Sequence, residues 1–160
     1  MSGPIVMRFL EHRIPPPLVG IILAGAMWFI AWSLSPLPPL PATVRLPAAV
    51  ILALVGAAIA LSGVISFRRA QTTVNPLKPE TSTALVSTGI YGITRNPMYL
   101  GMLTVLLAWA VYLSSVWALL GPVAFALYIT RFQIIPEERA LRSLFGPSFV
   151  EYTHRVRRWL

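Results

Sequence analysis

The sequence predicts an all-α integral membrane protein: a bundle of about four transmembrane helices, a polar cap on the cytoplasmic face and an amphipathic helix near the C-terminus. Three observations lead there. Hydrophobic residues make up 56% of the chain and charged residues only 11%, with a mean hydropathy of +0.72, well outside the balance of a soluble domain. Long stretches carry no charge at all, and each can supply helices of the roughly 20 residues that a bilayer requires. The arginines gather where those stretches end, as cytoplasmic anchors do. The whole, residues 1–160, reads as a single domain.

Composition also narrows the chemistry. Cysteine is absent, which removes disulfides, thiolate metal sites and cysteine nucleophiles. Aspartate is absent too, and the only histidines are His12 and His154. Acid-base and ligand chemistry must therefore come from glutamates, tyrosines and arginines, and no metal is expected. The net charge of +8 does not point to nucleic acid, because the basic residues flank apolar runs and form no basic stripe interleaved with aromatics.

In chain order, Arg8, Glu11, His12 and Arg13 precede a triple proline, Pro15 to Pro17. The prolines separate charge from apolar run, so no signal-peptide plan fits and a short cytoplasmic lead is expected. The first span, about Leu18 to Leu34, carries Trp28 and Trp32 towards its far end, where an aromatic belt belongs. Ser35 to Pro41 holds four prolines and makes a stiff connection. The second span, about Leu46 to Phe67, places Gly56, Ala60 and Gly63 on one face, a small-residue stripe that admits another helix closely. Arg68 and Arg69 end it.

Residues 70–97 form the longest polar stretch, and Leu85, Val86, Ile90 and Tyr91 within it favour a folded cap. It closes on Gly89-Ile-Tyr91-Gly-Ile-Thr-Arg95-Asn-Pro-Met-Tyr99-Leu-Gly101, a polar turn set hard against an apolar run. Irregular backbone at a membrane boundary is tolerated where protein buries it or water reaches it. Pro97 suits the first turn of the helix that follows. Met98 to Thr130 carries no charge and gives two spans joined at Ser114-Ser115, with Pro122 expected to kink the returning helix and Arg131 at its cytoplasmic end. After Pro136 comes a short amphipathic helix with Glu137 and Glu138 at its start and Gly146 at its end. The i,i+4 rule pairs Glu138 with Arg142, whereas Glu137 faces Leu141 and is the better ligand candidate. The tail from Pro147 reads as a basic interfacial segment.

The residues Leu85-Val86, Gly89-Ile-Tyr91, Arg95-Asn-Pro-Met-Tyr99-Leu-Gly101, Glu137-Glu138 and Phe145-Gly146 resemble the isoprenylcysteine carboxyl methyltransferases and the related phospholipid methyltransferases, over about residues 67–158. The resemblance implies an integral membrane enzyme that uses S-adenosyl-L-methionine and acts on a lipophilic or membrane-delivered acceptor. A prenylcysteine-type carboxylate is the most similar acceptor. A phospholipid amine, a small thiol and a non-catalytic membrane scaffold are the alternatives. It further implies a cofactor site of Thr83, Ala84, Leu85, Val86, Tyr91, Arg95, Asn96, Pro97, Met98, Tyr99 and Glu137. Asn96 stands where the eukaryotic prenylcysteine enzymes have histidine. Their substrate-binding arginine aligns with Gln133, and Arg131 is the nearest arginine. Arg131 is thus expected to orient the acceptor, and Glu138 or a tyrosine to serve an amine acceptor as base. Placement in the cell (inner) membrane with both termini cytoplasmic completes the expectation.

Overall fold

The computed structural model describes residues 14–34, 40–70 and 85–160. Among the described residues there are five helices: α1 (Pro16–Leu34), α2 (Ala42–Arg69), α3 (Pro97–Leu113), α4 (Leu120–Ile129) and α5 (Ile135–Arg155). Two 3₁₀ turns, Gly89–Gly92 and Val116–Leu119, lead into α3 and α4, and a π turn, Thr130–Ile134, joins α4 to α5. The segments 35–39 and 71–84 lie outside the described residues, and with them the four-proline connection and most of the expected cap.

Four apolar segments alternate in direction, as expected. α1, α2 and the helix that begins at Val116 are each long and apolar enough to cross a membrane, and α3 is a shorter apolar helix of 17 residues. The helical stretch that begins at Val116 continues through the π turn and the kink at Gly146 to Arg155, 40 residues in all, about twice the length a bilayer core needs. Its first part, as far as Thr130, carries no charge, whereas from Arg131 onward it carries Glu137, Glu138, Arg139 and Arg142.

Without a hydrophobic driving force between helices in lipid, close packing has to hold them. The stripe foreseen on α2 does this against α3. A Cβ on Gly101 would stand 2.5 Å from the Gly56 carbonyl oxygen and 2.7 Å from Ala60 Cβ, so the two backbones touch there. One turn further along, Gly63 meets Pro97 and Met98. α1 packs on α3 and α4. Its Met27 joins Phe125, Ile129, Leu106 and Tyr99 in the central core, and the Trp109 indole N–H donates to the Ala24 carbonyl at 3.0 Å.

The turns follow the sequence with four exceptions. Ser114 caps α3 in the left-handed region (φ 52°, ψ 37°) and Ser115 is extended, which makes the hairpin foreseen there. α2 starts at Ala42, before the expected Leu46, and so takes Arg45 and Pro47 into its first two turns. Pro122 falls in the first turn of α4 and not in its interior, a position a proline ring accepts without breaking a helix. Arg131 ends no helix, because the π turn carries the backbone straight into α5. Finally, the helix after Pro136 does not stop for good at Gly146. That residue breaks it with φ 50°, ψ −124°, a conformation open to glycine, and Pro147 restarts it as far as Arg155.

Candidate active site

The polar residues of the Gly89–Gly101 turn, the π turn, the start of α5 and the C-terminal tail meet at one membrane face. The tail is tied to the turn before α3 by main-chain bonds. Thr94 and Arg157 form a parallel bridge, and the Arg95 N–H donates to the Arg157 carbonyl at 3.0 Å. The Asn96 side-chain amide donates to the Arg158 carbonyl at 2.8 Å. Thr94 is fully buried, and its hydroxyl accepts from the Asn96 N–H at 3.2 Å.

Side chains complete the lock. The Tyr152 hydroxyl donates to the Tyr91 carbonyl at 2.7 Å, and Tyr91 meets Phe67 of α2 edge to face, centroids 5.2 Å apart. Phe149, Tyr152 and Val156 form a second small core against which Leu85, Leu141 and Phe145 pack. Val86 is buried beside this region of the chain. At the tail's end, the Trp159 indole donates to the Thr130 hydroxyl of the π turn at 3.2 Å.

The adjacent glutamates have opposite surroundings. Glu138 takes Arg158 in a fork, Nε to Oε1 at 3.0 Å and Nη2 to Oε2 at 2.7 Å, and its Oε1 also pairs with Arg95 at 3.0 Å. The expected i,i+4 pairing with Arg142 therefore gives way to a clamp between the tail and the loop. The hydrogen bond also holds the Arg158 guanidinium above its usual range. With both oxygens engaged by guanidinium groups, Glu138 has none spare to take a substrate proton.

Glu137 turns inward. The Tyr99 hydroxyl, from the first turn of α3, donates to its Oε1. No arginine pairs with Glu137 among the described residues. Burial pushes its carboxyl up from 4.5 to about 8, the Tyr99 bond pulls the other way, and the charge on Glu138 adds to the rise. Burial likewise raises the Tyr91 hydroxyl, with smaller contributions from Tyr152 and Glu137, and that of Tyr152 is raised by burial against the pull of Arg95 and Arg155. Tyr91 and Tyr152 therefore stay neutral, while Glu137 titrates near physiological pH.

Of the other residues singled out, Asn96 caps α3 and Pro97 occupies its first turn, with Met98 packed beside Gly63. Arg131 lies half-buried in the π turn, its guanidinium carbon 5.5 Å from the Phe132 ring centroid. Gln133 is fully buried and donates to the Ile14 carbonyl at 2.9 Å. Thr83 and Ala84 lie outside the described residues. Three participants were not foreseen: Thr94, Tyr152 and Arg158. For Tyr152 a signal existed. Leu141, Phe145, Phe149, Tyr152 and Val156 recur at helical spacing across the Gly146-Pro147 break, a stripe that asks for a partner surface.

The chain is thus a bundle of apolar helices with a half-buried carboxylate and tyrosines gathered at one end. The sequence profile of the phospholipid methyltransferase family matches residues 44–148, and the chain belongs to that family. An uncharacterized protein of Haemophilus influenzae is 48% identical over 63 residues, 39% of this chain and all of that protein. Protein-S-isoprenylcysteine O-methyltransferase B of Arabidopsis thaliana is 32% identical over 106 residues, 64% of this chain and 52% of that enzyme. No solved structure matches.

Proposed function

We propose that the protein transfers a methyl group from S-adenosyl-L-methionine to a lipophilic acceptor delivered from the bilayer, with the cofactor held at the face where Glu137 lies. The observation that carries this reading is the contrast between the two glutamates. Glu138 is committed to Arg95 and Arg158, whereas Glu137 is half-buried, oriented by Tyr99 and without a protein cation among the described residues. A carboxylate drawn partly out of water in that condition is stabilised when a cationic group joins it, and an amino acid ammonium is such a group. The donor set therefore fits the cofactor.

When bound, S-adenosyl-L-methionine supplies an electrophilic methyl group on a sulfonium. The chain's own residues bind and position. Glu137 takes the ammonium and gives up its proton as it does so, and Tyr99 fixes the direction of its carboxyl. Leu85, Val86, Tyr91 and the Arg95 to Met98 turn complete the cofactor wall. Arg131, six residues before Glu137, orients the acceptor. Direct displacement at carbon needs alignment and exclusion of water more than acid-base help, which suits a site where Glu138 is spoken for.

The acceptor class is tested by supplying the purified protein with methyl-labelled cofactor and, separately, a prenylcysteine, an aminophospholipid and a small thiol. Label is expected in one of the lipophilic acceptors. Label in none of the three, with the cofactor bound, would support the scaffold alternative.

A further inference from the structure

α1, α2 and α3 enclose a groove of about 660 Å³ with apolar walls that include Ala24, Ala49, Ala53, Gly56, Trp109 and Tyr112. That volume lies within the range of small-molecule sites. One turn beyond Ala49 on the same face of α2 stands Arg45, at the membrane face opposite Glu137. Its Nη1 donates to the Tyr112 carbonyl at 3.3 Å. The guanidinium carbon lies 5.6 Å from the Tyr112 ring centroid, and that ring stacks on Trp109, centroids 5.1 Å apart. One donor is thereby used, and the buried Nε has no acceptor.

No carboxylate of the described residues reaches this face. Their glutamates are Glu137, Glu138 and Glu151, all in α5, and the sequence holds no aspartate. A half-buried guanidinium near the end of a membrane helix, with donors left over, attracts an anion, and the anion a bilayer presents at its boundary is a lipid phosphate, which the planar fork of arginine matches. From Arg45 to Ala60, at the groove's other end, α2 runs roughly 22 Å, more than the ~15 Å depth of one leaflet.

We infer that Arg45 and this groove form a binding site for an anionic phospholipid of the leaflet opposite the active site, with the phosphate on Arg45 and an acyl chain along Ala49, Ala53 and Gly56. The inference rests on the far-face geometry alone and does not depend on the methyltransferase reading.

Native mass spectrometry of the full-length protein released from bilayers of defined composition tests it, with dioleoyl phosphatidylglycerol, the phosphate-free dioleoylglycerol and free glycerol 3-phosphate as probes. The wild-type protein is expected to retain phosphatidylglycerol about tenfold over dioleoylglycerol, the scale of one charge-assisted pair, and to retain no free glycerol 3-phosphate. Arg45→Gln should bring the two lipids level. Arg45→Lys keeps the charge without the fork and should lower the preference several-fold, which decides the point if the glutamine variant does not fold. Ala53→Phe fills the groove and should reduce retention of both lipids together. An unchanged preference in Arg45→Gln or Arg45→Lys, undiminished retention in Ala53→Phe, or equal retention of the free headgroup would each overturn the inference.

Discussion

At the scale of single residues, the adjacent glutamates differ in their partners, Tyr99 for Glu137 and two arginines for Glu138, and pH separates them. Glu137 has its carboxyl raised to about 8, so the folded chain holds that proton more tightly than the unfolded one. Its burial costs nothing below about pH 4.5 and costs progressively more as pH rises towards 8. The ligand-free protein should therefore melt at lower temperature at pH 9 than at pH 6, and Glu137→Gln should flatten that slope. Ligand binding should show the opposite trend, because the ammonium needs the carboxylate. Titration of S-adenosylhomocysteine should find affinity falling about tenfold from pH 7 to pH 6. An affinity flat over that interval would remove Glu137 from the clamp. For Arg131, lysine is the informative change, since it anchors at an interface but offers no bidentate fork. Arg131→Lys should express and bind S-adenosylhomocysteine normally while turnover drops on the order of tenfold. Unchanged turnover would leave Arg131 an anchor.

At the scale of elements, the bundle depends on the α2–α3 crossing. Gly101→Ala would place a Cβ 2.5 Å from the Gly56 carbonyl oxygen and should cost about 1–3 kcal/mol, as overpacking does. Gly25→Ala, with nothing within 4 Å of the added Cβ, is the matched control and should be neutral or slightly stabilising. Equal melting temperatures for the two variants would refute the close crossing. This crossing was legible in the sequence as the stripe Gly56, Ala60 and Gly63, because helical periodicity marks a face whatever lies opposite it. So were the four apolar segments, the Ser114 turn and the break at Gly146. The partner of Glu138 was not. Spacing rules see four residues ahead, whereas Arg158 lies 20 residues away in sequence and Arg95 arrives from another loop. Only the fold brings those guanidinium groups together. The π turn left no signal either, since no proline or glycine marks it.

At the scale of the whole molecule, charge is distributed between two faces. Arg68, Arg69, Arg95, Arg131 and the five arginines of α5 and the tail share the face of Glu137, and among the described residues Arg45 stands alone on the other. That asymmetry predicts a cytoplasmic active site. A cysteine at exposed Leu160 should resist a membrane-impermeant thiol reagent in intact cells, and one at exposed Val116 should react; the reverse pattern would invert the orientation. The central proposal is that Glu137 anchors the cofactor. Calorimetric titration of S-adenosylhomocysteine into the wild-type protein, Glu137→Gln and Glu138→Gln tests it most directly. Binding to the wild type, a loss of about 1.5–3 kcal/mol in Glu137→Gln, and near wild-type affinity with a lowered melting temperature in Glu138→Gln are expected. No binding to the wild type, or equal affinities for the wild type and Glu137→Gln, would contradict it.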